Sequence, residues 1–255
     1  MTSVPSITTE QMREVDRLMI EEYGIVLLQM MENAGRSLAR LAASQTAGTP
    51  GRGVLVLAGT GNNGGGGLVA ARHLSNMGSD VRILLSGTLE ELVDVPADQA
   101  SILHSMEVAL PAAKAMAPEL LRRAFAEADL IIDTLIGYSL AGAPRGQAAS
   151  LIELANASGR PIVSLDVPSG IDAGSGRVYE PSIKATATMT LALPKTGLGG
   201  SDVRARLGDL YLADLSVPPA LYRRLGLEVE PLFAEDAVVL LQWADGGWIS
   251  SGSPA

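Results

Sequence analysis

Short aliphatic runs, each closed by a glycine-rich or acidic turn and followed by a helical segment, most constrain how this chain can fold. Val54-Leu55-Val56-Leu57-Ala58 leads into Gly59–Gly67, Leu130-Ile131-Ile132 ends on Asp133, and Ile162-Val163-Ser164-Leu165 ends on Asp166. Val81–Leu85, Ala185–Leu193 and Leu210–Asp214 read as further strands. Aliphatic runs without polar alternation suit strands buried on both faces, as in a parallel sheet. Helical spacing falls between them at Leu68–Met77, Ala97–Met106, Ala115–Ala128 and Gly146–Ala157, with Pro118 near a helix start, where proline is tolerated. The alternation predicts an α/β fold with a parallel sheet covered on both faces. At 255 residues, 47% hydrophobic and only 4% aromatic, the chain fits one domain with a core of Ala, Val, Leu and Ile.

Two helices precede this alternation. Thr8 and Gln11 have the spacing of a capping box, and Met12, Val15, Met19 and Ile20 recur at helical intervals. A second helix runs from Leu27 to Leu41 with Met30, Met31, Ala34 and Leu38, and Gly48-Thr49-Pro50-Gly51 ends the unit. The predicted organisation is one domain over 1–245, with N-terminal helices at 8–47 and the core at 53–240. Residues 246–255, rich in Gly and Ser, are predicted to form a flexible tail.

Composition narrows the function. A net charge of −9 without clustered Lys or Arg argues against nucleic-acid binding. The absence of cysteine removes disulfides, zinc–thiolate sites and cysteine nucleophiles. The N-terminus lacks a signal-peptide pattern and no apolar run reaches spanning length, so no membrane and a cytoplasmic location are expected.

In open parallel sheets, ligands bind beyond the carboxyl ends of the strands, where strand order reverses. Gly59–Gly67, Asp133–Gly146 and Asp166–Gly176 are therefore expected to share one rim. Six glycines and two asparagines between Gly59 and Gly67 suggest a loop whose backbone N–H groups approach an anion, rather than a plain connection. No Gly-Lys-Ser/Thr follows, so it is not a Walker loop. Asp133 reads equally as a cap or a ligand-facing carboxylate. Asp166 either braces the Pro168-Ser169-Gly170 turn or acts as a general acid and base. His73 and His104 read as structural or exposed; Lys195, after Pro194, is a candidate charge partner, although a solvated surface lysine is the simpler reading.

Taken together, Met30–Gly35, Gly61–Gly65, Ala70–Leu74, Asp133–Gly142, Asp166-Val167-Pro168-Ser169-Gly170 and Leu193-Pro194-Lys195 resemble the NAD(P)H-hydrate epimerase family, the YjeF N-terminal domain. The likeness runs from about Ile7 to about Leu240. It implies a Rossmann-like three-layer αβα sandwich with a mostly parallel central sheet, commonly a homodimer. It also implies interconversion of the R and S epimers of hydrated NADH or NADPH, a small-molecule substrate carrying an added hydroxyl at C6 of the nicotinamide ring. A separate NAD(P)HX dehydratase, the functional partner, takes the S epimer. The resemblance assigns substrate contact to Asn62, Asn63, Gly64, Gly65, Gly66, Gly137, Tyr138, Ser139, Leu140, Ala141, Gly142, Ala143 and Asp166. It assigns one potassium ion per subunit to Asn63, Asp133 and Ser169. Asp166 is the expected catalytic acid and base, so that Asp166→Asn leaves the fold intact and abolishes epimerisation. The chain departs from the family at Gly66, where an Asp usually stands, and near Ala141, where a lysine is common. Two other readings stay open beside the isomerase: a non-catalytic nucleotide-ligand-binding or interaction domain, and an enzyme acting on another ADP-ribose-like ligand.

Overall fold

The computed structural model describes residues 2–46 and 48–250. In chain order its strands and α-helices are β1 (Thr2–Val4), α1 (Thr9–Glu21), α2 (Leu27–Gln45), β2 (Gly53–Ala58), α3 (Asn62–Asn76), β3 (Asp80–Leu85), α4 (Asp94–Ser105), α5 (Pro118–Glu127), β4 (Leu130–Thr134), α6 (Gly146–Ala157), β5 (Ile162–Leu165), β6 (Ala187–Leu191), α7 (Ser201–Leu207), β7 (Asp209–Ala213), α8 (Pro219–Arg224), β8 (Val238–Ala244) and β9 (Gly247–Ser250).

The expected capping box forms at the start of α1. Thr8 Oγ1 accepts from the Gln11 amide at 3.1 Å, and Gln11 Oε1 accepts from the Thr8 amide at 3.0 Å. Met12, Val15, Leu18 and Met19 are buried along one stripe of this helix, whereas Ile20 is exposed.

The nine strands form one sheet in the order β1-β9-β8-β7-β6-β5-β4-β2-β3. From β3 through β7 the neighbours are parallel, and β8, β9 and β1 extend the sheet in antiparallel fashion. The alternation along β2 shows why it is aliphatic throughout. Val54, Val56 and Ala58 pack with Leu38, Leu68, Leu74 and Leu103 from α2, α3 and α4. Leu55 and Leu57 face the other way, onto Phe125, Leu151 and Ile152 from α5 and α6. The result is the αβα sandwich that the resemblance implies. From β2 the chain first builds outward to β3 and then returns to place β4 on the other side of β2. The β2–β4 boundary is thus the switch point of the sheet.

Two expectations change. The glycine run is not a long loop: α3 begins at Asn62, so Gly64 to Gly67 lie inside the helix. The predicted tail also begins too early. Asp245 and Gly246 both adopt positive φ, 50° and 80°, and form the turn of an Asp-Gly hairpin. Gly247–Ser250 then pairs with both β8 and β1, and Trp248 packs edge-on against Trp243 with ring centroids 4.9 Å apart. The remainder of the predicted tail, 251–255, lies outside the described residues. Among the described residues no helix is long and apolar enough to cross a membrane.

Candidate active site

β2, β4 and β5 are parallel neighbours, so the three turns that leave their carboxyl ends meet on one rim. They are bonded to one another. The Gly59 amide donates to the Thr134 carbonyl at 3.1 Å, and the Ile136 amide donates to Ser169 Oγ at 2.9 Å.

The glycines of the first turn serve close approach. A Cβ on Gly59 would stand 2.0 Å from the Leu135 carbonyl oxygen, one on Gly64 1.9 Å from that of Gly59, and one on Gly67 2.1 Å from Thr134 Oγ1. With Gly61 as its N-cap, α3 is pressed against the turn after β4, which brings Asn63 beside Gly137. The first amides of α3 have no partner within the helix and form a positive end suited to an anion.

Asp133 closes β4, fully buried. Its Oδ2 accepts from Ser164 Oγ at 2.8 Å and the Ser169 amide at 2.9 Å; its Oδ1 accepts from Ser169 Oγ at 2.6 Å and the Leu135 amide at 3.2 Å. No lysine or arginine among the described residues pairs with it. Burial pushes its carboxyl above the usual carboxylate range, against the pull of those hydrogen bonds.

Asp166 follows β5 with a φ of +67°, an uncommon conformation for a non-glycine residue that turns its carboxylate back toward the rim. Its amide donates to the Met189 carbonyl at 2.7 Å, and its Oδ2 accepts from the Tyr138 amide at 3.0 Å. Its Oδ1 takes a charged hydrogen bond from Lys195 Nζ. Of the two readings of Lys195, the structure shows the charge partner and not the surface lysine: it is completely buried, and its Nζ also lies 3.0 Å from the Leu191 carbonyl oxygen and 3.4 Å from Thr190 Oγ1. Its backbone is held by Ile7, whose amide donates to Pro194 and whose carbonyl accepts from Thr196, both at 2.9 Å. Tyr138 adds the last member: its hydroxyl donates to Asp16 Oδ2 at 2.7 Å. Burial, aided by Asp16, pushes the Tyr138 phenol up, and burial likewise raises the Asp16 carboxyl.

These groups surround a cavity of about 630 Å³. Of the residues assigned to substrate, Asn62, Asn63, Gly66, Gly137, Tyr138, Ser139 and Asp166 line it, together with Asp16, Lys195 and Leu165. Gly64 and Gly65 lie behind this wall, Gly65 against Met31 and Pro96. Leu140, Ala141, Gly142 and Ala143 continue away from the lining, half-buried or exposed. Asp133 and Ser169 are bonded together beneath it. His73 pairs with Glu32, which also holds Arg72, while His104 is exposed; neither lines the cavity. Among the described residues no three His, Asp or Glu side chains gather as a metal cluster.

The sequence gives no expectation for Asp16 and offers Lys195 only as a candidate charge partner, although each carries a signal. Asp16 sits four residues after Met12 and next to Val15, a carboxylate on the apolar stripe of α1. Lys195 follows β6 at its carboxyl end, and every parallel strand delivers its next turn to the same rim.

A doubly wound sheet with a ligand cavity at its switch point defines a Rossmann-like α/β domain. Within that class the chain belongs to the family described as YjeF-related protein N-terminus, whose profile matches residues 27–197. A protein named NAD(P)H-hydrate epimerase from Dehalogenimonas lykanthroporepellens is 46% identical over 230 residues, covering 89% of this chain and 88% of the relative. A protein from Moorella thermoacetica named bifunctional NAD(P)H-hydrate repair enzyme Nnr is 36% identical over 222 residues, 84% of this chain but 41% of the relative. The crystal structure of yeast ynu0 superposes with a TM-score of 0.80 at 26% identity, covering 93% of this chain and all of that one.

Proposed function

We propose that the protein is an isomerase that equilibrates the R and S epimers of hydrated NADH and NADPH at C6 of the nicotinamide ring. The observation that carries this reading is the buried Asp166–Lys195 pair on the wall of a cavity whose other side is the N-terminus of α3. The helix end and Asn62 suit the pyrophosphate of the substrate. At the same wall the Lys195 ammonium donates to the Asp166 carboxylate, which sets a donor and an acceptor of protons side by side. Inversion needs a proton from such a pair. Given to the C6 hydroxyl, it lets that group leave as water, with the ring nitrogen lone pair forming the C6–N1 double bond. Water added to the opposite face returns the proton, so nothing is consumed. The relatives named as epimerases support this assignment.

A potassium ion would suit Asn63 on the cavity wall together with Asp133 and Ser169 beneath it. Asn63 Nδ2 is buried without a hydrogen-bond partner, and exchanging the amide's O and N would offer an oxygen there. Asp133, buried and without a basic partner, supplies negative charge, and Ser169 a further oxygen. An all-oxygen set of this kind suits a hard cation. Asn63, Asp133 and Ser169 would hold the ion, which would supply positive charge to an anionic substrate. The reading extends to a homodimer, because Ile20, Tyr23, Val26 and Leu28 leave an apolar face exposed around α1 and the start of α2.

The test mixes the protein with the separated epimers and follows their equilibration by chromatography, in potassium chloride and in tetramethylammonium chloride. Equilibration that is faster in potassium is expected. Tight binding without interconversion would replace the isomerase by a binding domain, and neither result would point to another ADP-ribose-like ligand.

Gly66 gives a second prediction. A Cβ there would lie 2.7 Å from Leu165 Cδ2, the end of a flexible side chain that can rotate away. Gly66→Asp is expected to fold and to raise kcat/KM about tenfold, the worth of one hydrogen bond to a charged group. An unchanged kcat/KM, with Leu165→Ala added to give room, would show that the chain has no use for a carboxylate there.

A further inference from the structure

The cavity holds a second carboxylate with no part in the proton exchange described above. Asp16, half-buried one turn after Met12 on α1, lines the cavity. Removing a carboxylate from water is costly unless it is bonded, and its bond comes from the Tyr138 hydroxyl at 2.7 Å. Tyr138 is bound at both of its ends. Its phenol is on Asp16, and its own backbone amide donates to Asp166 Oδ2 at 3.0 Å. Its ring also faces Lys195, with Nζ 5.8 Å from the ring centroid. Beyond Tyr138 the turn runs outward through Ser139, Ala141 and Ala143, which are exposed. The phenol therefore anchors the turn from the cavity side.

We propose that Asp16 is a positioning residue for the epimerisation: by accepting from the Tyr138 hydroxyl it fixes the turn whose amide aims the Asp166 carboxylate. The inference rests on the epimerase reading for its kinetic consequence, but its geometry stands apart from that reading. Asp16 acts through a hydrogen bond that a carboxamide oxygen can also accept, a role that requires no proton exchange with substrate.

Four variants test it: Asp16→Asn, Asp16→Ala, Tyr138→Phe and the double variant Asp16→Ala/Tyr138→Phe. Two readouts are taken, the split between kcat and KM and the hydrogen-exchange rate of the Tyr138 amide by NMR. Asp16→Ala and Tyr138→Phe are each expected to lower kcat about tenfold, the worth of one hydrogen bond, with KM within about twofold. The double variant is expected to lose no more than either single change, because both break one link. Asp16→Asn keeps most of the activity, and the Tyr138 amide exchanges faster in every variant except Asp16→Asn. Asp16→Asn as inactive as Asp16→Ala would overturn the proposal and make Asp16 a proton-exchanging group. Additive losses, or an exchange rate at Tyr138 that does not move, would overturn it as well. If the wild-type protein fails to interconvert the epimers, the epimerase reading falls, while the exchange rates still judge whether Asp16 holds the turn.

Discussion

Asp166→Asn and Lys195→Met, each made alone, are expected to lower the unfolding free energy by about 3–5 kcal/mol, and the double variant to recover most of that loss. The reason is the environment of the pair. Lys195 is fully buried and Asp166 nearly so, and each is the charged partner the structure gives the other. Two charges removed from water are tolerable while they neutralise one another, but removal of either strands the other in the interior. The backbone acceptor at Leu191 and the hydroxyl of Thr190 can share the ammonium's protons but cannot balance its charge. The sequence alone predicts that Asp166→Asn leaves the fold intact; the buried ammonium beside it changes that expectation. Urea unfolding of the four proteins gives the cycle, and wild-type stability in Asp166→Asn would show that the pair is not closed in solution.

The same cycle separates stability from catalysis. All three variants are expected to lose epimerisation by about 10²–10⁴-fold, the usual contribution of a positioned acid and base. The double variant should therefore be stable and inactive. A single-residue comparison cannot make that distinction, because a poorly folded protein and a protein without its proton-exchanging group both fail to turn over. Recovery of activity along with stability in the double variant would remove Asp166 from the reaction.

The sheet is legible in the sequence because its strands are buried on both faces and so read as unbroken aliphatic runs. The predicted strands at 54–58, 81–85, 130–133 and 161–166 match β2, β3, β4 and β5 to within a residue at each end. The antiparallel edge is less visible. Val238–Ala244 alternates only weakly between buried and open positions, with Val239 and Leu241 turned inward and Gln242 outward. Its partner strand, β9, is hidden by a Gly/Ser-rich surrounding, although Asp245-Gly246 between two tryptophans is a hairpin signal. At the site, residues held by backbone topology can be found from strand ends alone. Asp16 cannot, because a carboxylate on a helix face acquires meaning only when the tertiary fold brings it to the Tyr138 hydroxyl; Lys195 can be placed on the rim from its strand end, but its burial against Asp166 cannot.

The glycine run marks the site for a different physical reason than loop freedom, and one pair of substitutions distinguishes the two reasons. Gly61 and Gly64 are both near the start of α3, and neither has a positive φ. If these glycines supplied loop flexibility, replacing either by alanine would have similar and small effects. The structure instead gives a Cβ at Gly61 open space, and a Cβ at Gly64 contact with three backbone atoms of Gly59 at 1.9, 2.6 and 2.8 Å. Backbone cannot rotate aside as a side chain can. Gly64→Ala is therefore expected to cost more than about 3 kcal/mol, at or above the upper end of ordinary overpacking. Gly61→Ala, at an N-cap where alanine is the poorer residue but nothing obstructs its Cβ, is expected to cost about 1 kcal/mol or less. Urea midpoints of the two variants measure this difference, and equal midpoints would return the run to a flexible loop. The distinction reaches function: a helix seated one backbone's width from the turns after β2 and β4 keeps its free amides fixed at the cavity mouth, whereas a mobile loop would have to order them anew each time a phosphate bound.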